Sequence, residues 1–323
     1  MTLNDTLAKY SDWSFEAAFA VVVLAMLLLV IEYATYRSKL VAERELVAAG
    51  GVGSSLAETV PGRVENTAGR TLSERFGNMG RALVVVAAAL MIASIVLRGL
   101  ATERFPLGNM YEFVAMACAA AIVFSLVMLR KPAYRILWVY VLAPVAVLMF
   151  VAATVLYADA APVVPALRSF WLPIHVTIIS VGSGIFLLAG AASVLFLLRI
   201  HQPEGSERGV LGAIAARLPD AQVLDRLAYR TTIVGFPLFG IGIILGAIWA
   251  EAAWGRFWGW DPKETVSFIT WVIYAAYLHA RATSGWRNTR AAWINVAGFV
   301  AMLFNLFIIN MVVSGLHSYA GLN

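Results

Sequence analysis

Apolar and polar positions in this chain separate into long apolar runs divided by short polar connections. Runs of roughly 20 residues lie near 15–35, 82–101, 109–129, 136–157, 174–198, 231–250, 264–281 and 293–315. As a helix, each run is long enough to cross the hydrocarbon core of a bilayer, so the pattern predicts an all-α polytopic membrane protein with about eight transmembrane helices. The connection at about 38–80 carries Gly50-Gly51-Val52-Gly53-Ser54-Ser55 among scattered charges and reads as a flexible connector. The chain therefore divides into residues 1–80, a first helix with its loop, and residues 81–323, a seven-helix core. Within the core, Pro219–Tyr229 alternates Leu224, Leu227 and Ala228 with Asp220, Asp225 and Arg226. That alternation predicts an amphipathic helix lying along the inner membrane surface.

Charge orients the spans. Eighteen of the 24 Lys and Arg fall in the connections between runs 1–2, 3–4, 5–6 and 7–8. By the positive-inside rule those connections face the cytoplasm, and both termini face outward. The composition, 61% hydrophobic and 13% charged with mean hydropathy +0.80, excludes an ordinary soluble domain. The net charge of +5 is spread over the loops, so it is no sign of nucleic-acid binding. The single cysteine, Cys118, excludes an internal disulfide, a CxxC redox pair and a Cys-x-x-Cys-His haem attachment site. No cleavable signal peptide is expected, because the first apolar run is long and lacks a cleavage site. Charged residues are scarce inside the runs, which leaves few members for an ion relay.

Five of the ten tryptophans fall between Trp249 and Trp271. The densest stretch, residues 254–264, reads Trp254-Gly255-Arg256-Phe257-Trp258-Gly259-Trp260-Asp261-Pro262-Lys263-Glu264. Its glycines and proline break helical periodicity, leaving three indoles on a short irregular outer segment. Such a surface suits a large planar ligand, whereas an isolated interfacial tryptophan would be an ordinary belt residue. His175 begins span 5 and His317 ends span 8, both at the level of this segment. Two imidazoles beside an aromatic shelf match an iron porphyrin, which needs two axial nitrogens and an apolar wall. His279 lies fifteen residues after Glu264, about 22 Å along a helix, near the inner side of span 7. An intramembrane histidine is a functional candidate, but a helix-facing hydrogen bond accounts for it equally well. His201 reads as a solvated loop residue. Any of the outer cations Arg98, Arg104, Arg168, Arg256 and Lys263 suits a porphyrin carboxylate. Asp261 and Glu264 suit caps of the following helix.

The tryptophan stretch resembles the "WWD" signature of the haem-handling proteins of cytochrome c maturation. Asn109-Met110-Tyr111-Glu112, Gly235-Phe236-Pro237, Gly246-Ala247-Ile248-Trp249-Ala250-Glu251, and Asn310 followed by Gly315-Leu316-His317-Ser318-Tyr319 narrow it to the CcsA/ResC family. The resemblance covers roughly residues 80 to 323. It implies a subunit of a System II cytochrome c synthase in a bacterial plasma membrane, with a thylakoid membrane as the other setting. Its implied partners are a ResB/CcsB-like membrane subunit, apocytochrome c, a thioredoxin-like thiol reductant and membrane lipid. Haem b is the bound substrate. The resemblance further implies iron ligation by His175 and His317 outside and by His279 within the membrane, the partner supplying the second inner ligand. Trp254, Trp258, Trp260 and Asp261 would position the haem for thioether formation with the apocytochrome's Cys-x-x-Cys-His. Three other readings compete: a haem exporter or chaperone without ligation activity, a secondary transporter, and a b-type cytochrome quinone oxidoreductase. The transporter lacks the expected inverted repeats, and the oxidoreductase would want more histidines at depth.

Overall fold

The structure, a computed structural model, describes residues 3–48, 72–131, 134–162 and 167–317. Its helices are α1 (Leu3–Ala48), α2 (Leu72–Thr102), α3 (Met110–Met128), α4 (Leu137–Thr154), α5 (Trp171–His201), α6 (Gly209–Ala215), α7 (Ala221–Trp254), α8 (Pro262–Ala282) and α9 (Thr289–Phe304). A π-helical turn, Asn305–Ile309, continues α9. No strand occurs among the described residues. All eight apolar runs are helices, and the chain is a multi-pass membrane protein. Seven of the helices are long and apolar enough to cross a membrane. The other long helix, α8, has 21 residues and spans about 31 Å, but Lys263, Glu264, Ser267, His279 and Arg281 dilute its hydropathy.

Two sequence expectations change. Pro219–Tyr229 does not form a separate surface helix: from Ala221 it is the first part of α7, and Leu224, Leu227 and Ala228 are buried in the bundle. The amphipathic pattern arose because these first turns bury one face against protein. The expected connector at 38–80 is entered by helix from both sides, to Ala48 and from Leu72, while its glycine-rich centre lies outside the described residues. So do Ser318 and Tyr319.

Consecutive long helices run in alternating directions, as polar contacts at the two ends show. At the end assigned outward by charge, the Arg98 side chain is 2% exposed and meets Glu112 and Asp12, each at 3.2 Å. It also donates to the Ala158 carbonyl, and Arg104 adds 2.8 and 3.0 Å bonds to Glu112. This buried cluster ties α1, α2 and α3 to the chain after α4. At the other end Arg135 meets Glu32 at 3.3 Å, and Arg281 meets Asp225 at 2.6 Å. In between, packing relies on small residues, because lipid removes the hydrophobic drive for helix association. Gly184 shows why: a Cβ there would lie 2.5 Å from the Ala117 carbonyl oxygen, so α5 approaches α3 at backbone distance.

Candidate functional site

The site forms where α7 ends and α8 begins. Gly255, at φ +71°, stops α7 in the left-handed conformation, its N–H returning to the Glu251 carbonyl at 2.8 Å. Asp261 then caps α8, with Pro262 as its first residue, in a reciprocal capping box with Glu264. One Glu264 oxygen accepts both the Gly259 N–H (2.9 Å) and the Asp261 N–H (3.2 Å). Those two donors flank Trp260 and hold it at φ +57°, a conformation a bulky side chain otherwise avoids. Local chemistry thus folds 255–261 into a fixed turn over the start of α8.

Asp261 also reaches the far end of the chain. Its carboxylate accepts the Leu316 N–H at 2.7 Å, the His317 Nδ1 proton at 2.7 Å and the Lys263 N–H at 3.3 Å. Burial acts to raise its pKa, but the bonds from His317 and Leu316 outweigh it, and the carboxyl stays below its ordinary range. Gly315 permits this approach, since a Cβ there would lie 2.7 Å from the Asp261 carboxylate. His317 is thereby oriented by an ionised acceptor. Burial lowers the His317 pKa against the pull of Asp261, so the ring is neutral, with its proton on Nδ1 and its lone pair on Nε2.

His175 is prepared in the same way from the other side. On α5, its Nδ1 lies 2.7 Å from the Gly242 carbonyl of α7. A carbonyl only accepts, so here too the proton sits on Nδ1 and the lone pair on Nε2. Gly246, one turn along α7, makes room for the ring, since a Cβ there would fall 2.6 Å from Cε1. Trp249 joins the two histidines: its ring lies 6.0 Å from His175 in parallel array and 5.7 Å from His317 at 64°. Trp254 completes the group, 4.7 Å from Trp249 and 5.1 Å from His317.

A narrow, open-mouthed cleft is lined by His175, His317, Trp249, Phe257, Trp258, Lys263, Glu264 and Ser267, with apolar residues of α5 and α7. The structure therefore brings His175, His317 and Trp258 into one cavity, with Asp261 behind His317. Trp254 packs behind His317, while Trp260 turns outward, 70% exposed, with its edge against Trp258. His279 is not part of the cleft. It is exposed on α8 near Val272 of the same face, about 22 Å from Glu264 along the helix axis. His201 closes α5 and is exposed.

Trp249 carried no predicted role, because a tryptophan inside an apolar run looks like packing. Its place was marked by Gly246 one turn before it. Lys263 was one of five outer cations, and Asn310, which accepts its ammonium, was only part of a motif. As for metals, no group of three or more His, Cys, Asp or Glu able to hold an ion occurs among the described residues. Two imidazoles alone are a small donor set for a bare ion. They suit an iron whose other ligands come with it.

The sequence profile of the family described as cytochrome c assembly protein matches residues 107–317. Among relatives named cytochrome c biogenesis protein CcsA, the one from Mesostigma viride is 34% identical over 265 residues, covering 76% of this chain and 86% of its own. The one from Synechococcus sp. (strain RCC307) is 37% identical over 267 residues, covering 73% and 83%. This chain belongs to the CcsA family. Its role is accordingly in cytochrome c biogenesis. The matched interval begins just before α3 and ends on His317, so it takes in every residue of the cleft and leaves α1 and α2 outside. Among solved structures, the cytochrome c haem lyase CcmF matches with TM-score 0.62 and 17% identity over 95% of this chain. That is a likeness of fold, and the chain spans about half of CcmF, 47% of its length.

Proposed function

We propose that this CcsA-family chain is the haem-handling subunit of a System II cytochrome c synthase. It conducts haem outward through the membrane and presents it in the cleft between His175 and His317, where the apocytochrome's thiols are joined to it. The observation that carries this reading is the pair of imidazoles, each with Nδ1 donated to an oxygen of the protein, lining one aromatic cleft on either side of Trp249's contacts. Hydrogen bonding at Nδ1 fixes tautomer and ring orientation and strengthens Nε2 as a ligand, as second-shell partners of metal-bound histidines do. Two neutral imidazoles satisfy the axial positions of an iron porphyrin, and Trp249, Phe257 and Trp258 supply apolar walls that limit water.

Chemically, each Cys-x-x-Cys-His thiol adds across a haem vinyl group. A carbon–sulfur bond forms, and the thiol hydrogen goes to the neighbouring vinyl carbon. The addition is neutral overall, so the protein's share is to orient the substrate and shield its ferrous iron. The thiols come from the apocytochrome, kept reduced by a thioredoxin-like protein. Cys118, buried in α3, takes no part. A ResB/CcsB-like membrane subunit completes the enzyme.

The test is maturation of a reporter cytochrome by this chain with a ResB/CcsB-like partner. His175→Ala and His317→Ala each abolish maturation, and external imidazole partly restores it by filling the open axial position. Undiminished maturation in both variants would overturn the ligand assignment. A parent complex that binds haem but never forms thioethers would leave a carrier in place of a synthase.

A further inference from the structure

Haem carries two carboxylates, and an anion entering an apolar cleft needs a cation to meet it. Five outer cations were candidates on sequence, and the structure separates them. Arg98 and Arg104 are committed to Glu112 and Asp12 in the buried cluster at the ends of α1–α3. Arg256 faces Glu264 at 3.6 Å across the turn. Arg168 does not line the cleft. Lys263 does; the Asp261 carboxylate acts on its charge, and among the described residues no carboxylate comes within ion-pair distance of its ammonium. Its hydrogen-bond partner is neutral: Nζ donates to Oδ1 of Asn310, with the Phe113 ring 6.0 Å away.

Asn310 is built for that role. It directly follows the π-helical turn 305–309, and its amide nitrogen donates to the Asn305 carbonyl (3.2 Å) and the Leu306 carbonyl (2.7 Å). With the nitrogen so engaged, Oδ1 is directed to Lys263. The π-helical turn, a local departure often found at functional sites, thus sets one amide that fixes one ammonium at the cleft wall. Glu264, the carboxylate lining the cleft, is occupied by Gly259 N–H, Asp261 N–H and Arg256. Asp261 spends its own oxygens on Leu316, His317 and the Lys263 backbone N–H, so the ammonium, hydrogen-bonded only to a neutral amide, can still meet an incoming anion.

We propose that Lys263, positioned by Asn310, is the carboxylate-recognition residue of the cleft and receives a propionate of the porphyrin. The inference rests on the cleft being the porphyrin site and adds which group selects an acid-bearing macrocycle.

The experiment is a Soret titration of the purified full-length chain with iron protoporphyrin IX and, separately, with its dimethyl ester. In the parent, the diacid binds more tightly by about tenfold to a hundredfold, the range for a charge-assisted hydrogen bond in a desolvated site. Lys263→Met brings that ratio close to one while the diester affinity is kept, and Lys263→Arg preserves the preference. Asn310→Asp is a second route: it keeps the side chain's shape but gives Lys263 an internal carboxylate, so the preference for diacid falls there too. Comparing ratios cancels the unequal partition of the two porphyrins into detergent. A parent-like ratio in Lys263→Met or in Asn310→Asp would overturn the proposal. Porphyrin binding that is unchanged by His175→Ala would instead show that the ligand sits elsewhere, a failure of the underlying reading and separable from this one.

Discussion

Three N–H groups, from Lys263, Leu316 and His317, converge on the carboxylate of Asp261. One residue thereby caps α8, pins the chain after α9 and holds the Nδ1 proton of a histidine. Asp261→Asn keeps the shape and removes the charge, so the helix survives and the His317 ring loses its anionic partner. Haem retention at the outer site falls about 10- to 100-fold, the usual cost of losing such a partner. Pyridine haemochrome content per mole of protein measures it. The pH dependence follows from burial, which holds His317 below the ordinary histidine value. A lowered pKa means the neutral ring persists above that value, and ligation is lost as pH falls through it. Retention in the parent therefore holds through about pH 6.5 and titrates away below it. A midpoint above that would contradict the assignment. Trp249 and Trp260 make the contrasting pair. Trp249 is 1% exposed between the histidines and Trp260 is 70% exposed. Trp249→Ala strips outer-site haem, whereas Trp260→Ala leaves most of it, on matched protein levels. The sequence made the histidines and the tryptophan cluster legible through their rarity among apolar residues. It could not rank the indoles, because the ranking depends on a left-handed residue pinned by Glu264 and on a helix-interior tryptophan that looks like core.

Among the elements, all eight runs were readable, because a bilayer imposes a length and polarity that sequence states directly. The start of α8 was also legible: Asp-Pro-Lys-Glu is a capping box with proline at the first helical position, and the structure has both. Two kinds of feature were not. The segment before span 6 reads as a surface helix because its pattern reports one buried face without saying what covers it, and protein covers it. The π-helical turn 305–309 left no periodic mark, since one widened turn hardly shifts an apolar pattern. That turn is what places Asn310, and Asn310 is what places Lys263. The local departures that build the cleft are thus the ones hydropathy cannot express, while the helices that carry it are spelled out in full.

On the scale of the whole molecule, the cleft takes its residues from one end of the bundle, and His279 lies apart from it. Its helix face is exposed, with Ile269 and Val272 46% and 44% exposed on α8 and His279 beyond them. His279 stands in the last turn of α8 with Arg281, where a basic side chain also suits the helix C-terminus, so exposure alone does not assign its role. On the proposed function, a ResB/CcsB-like subunit seated on that face would shelter the ring and add the second ligand of an inner haem. The distance of about 22 Å along α8 makes this a site separate from the outer cleft. If so, His279→Ala lowers total haem in the two-subunit complex and also the haem reaching the cleft, because the outer site is filled from the inner one. His317→Ala does the reverse, emptying the cleft while inner haem stays. His279→Gln, which keeps hydrogen bonding and loses imidazole ligation, behaves like His279→Ala. Pyridine haemochrome assays on equal amounts of the parent complex and the three variants distinguish these outcomes. Parent-level haem in His279→Gln would reduce His279 to a hydrogen-bonding residue and leave a single outer site.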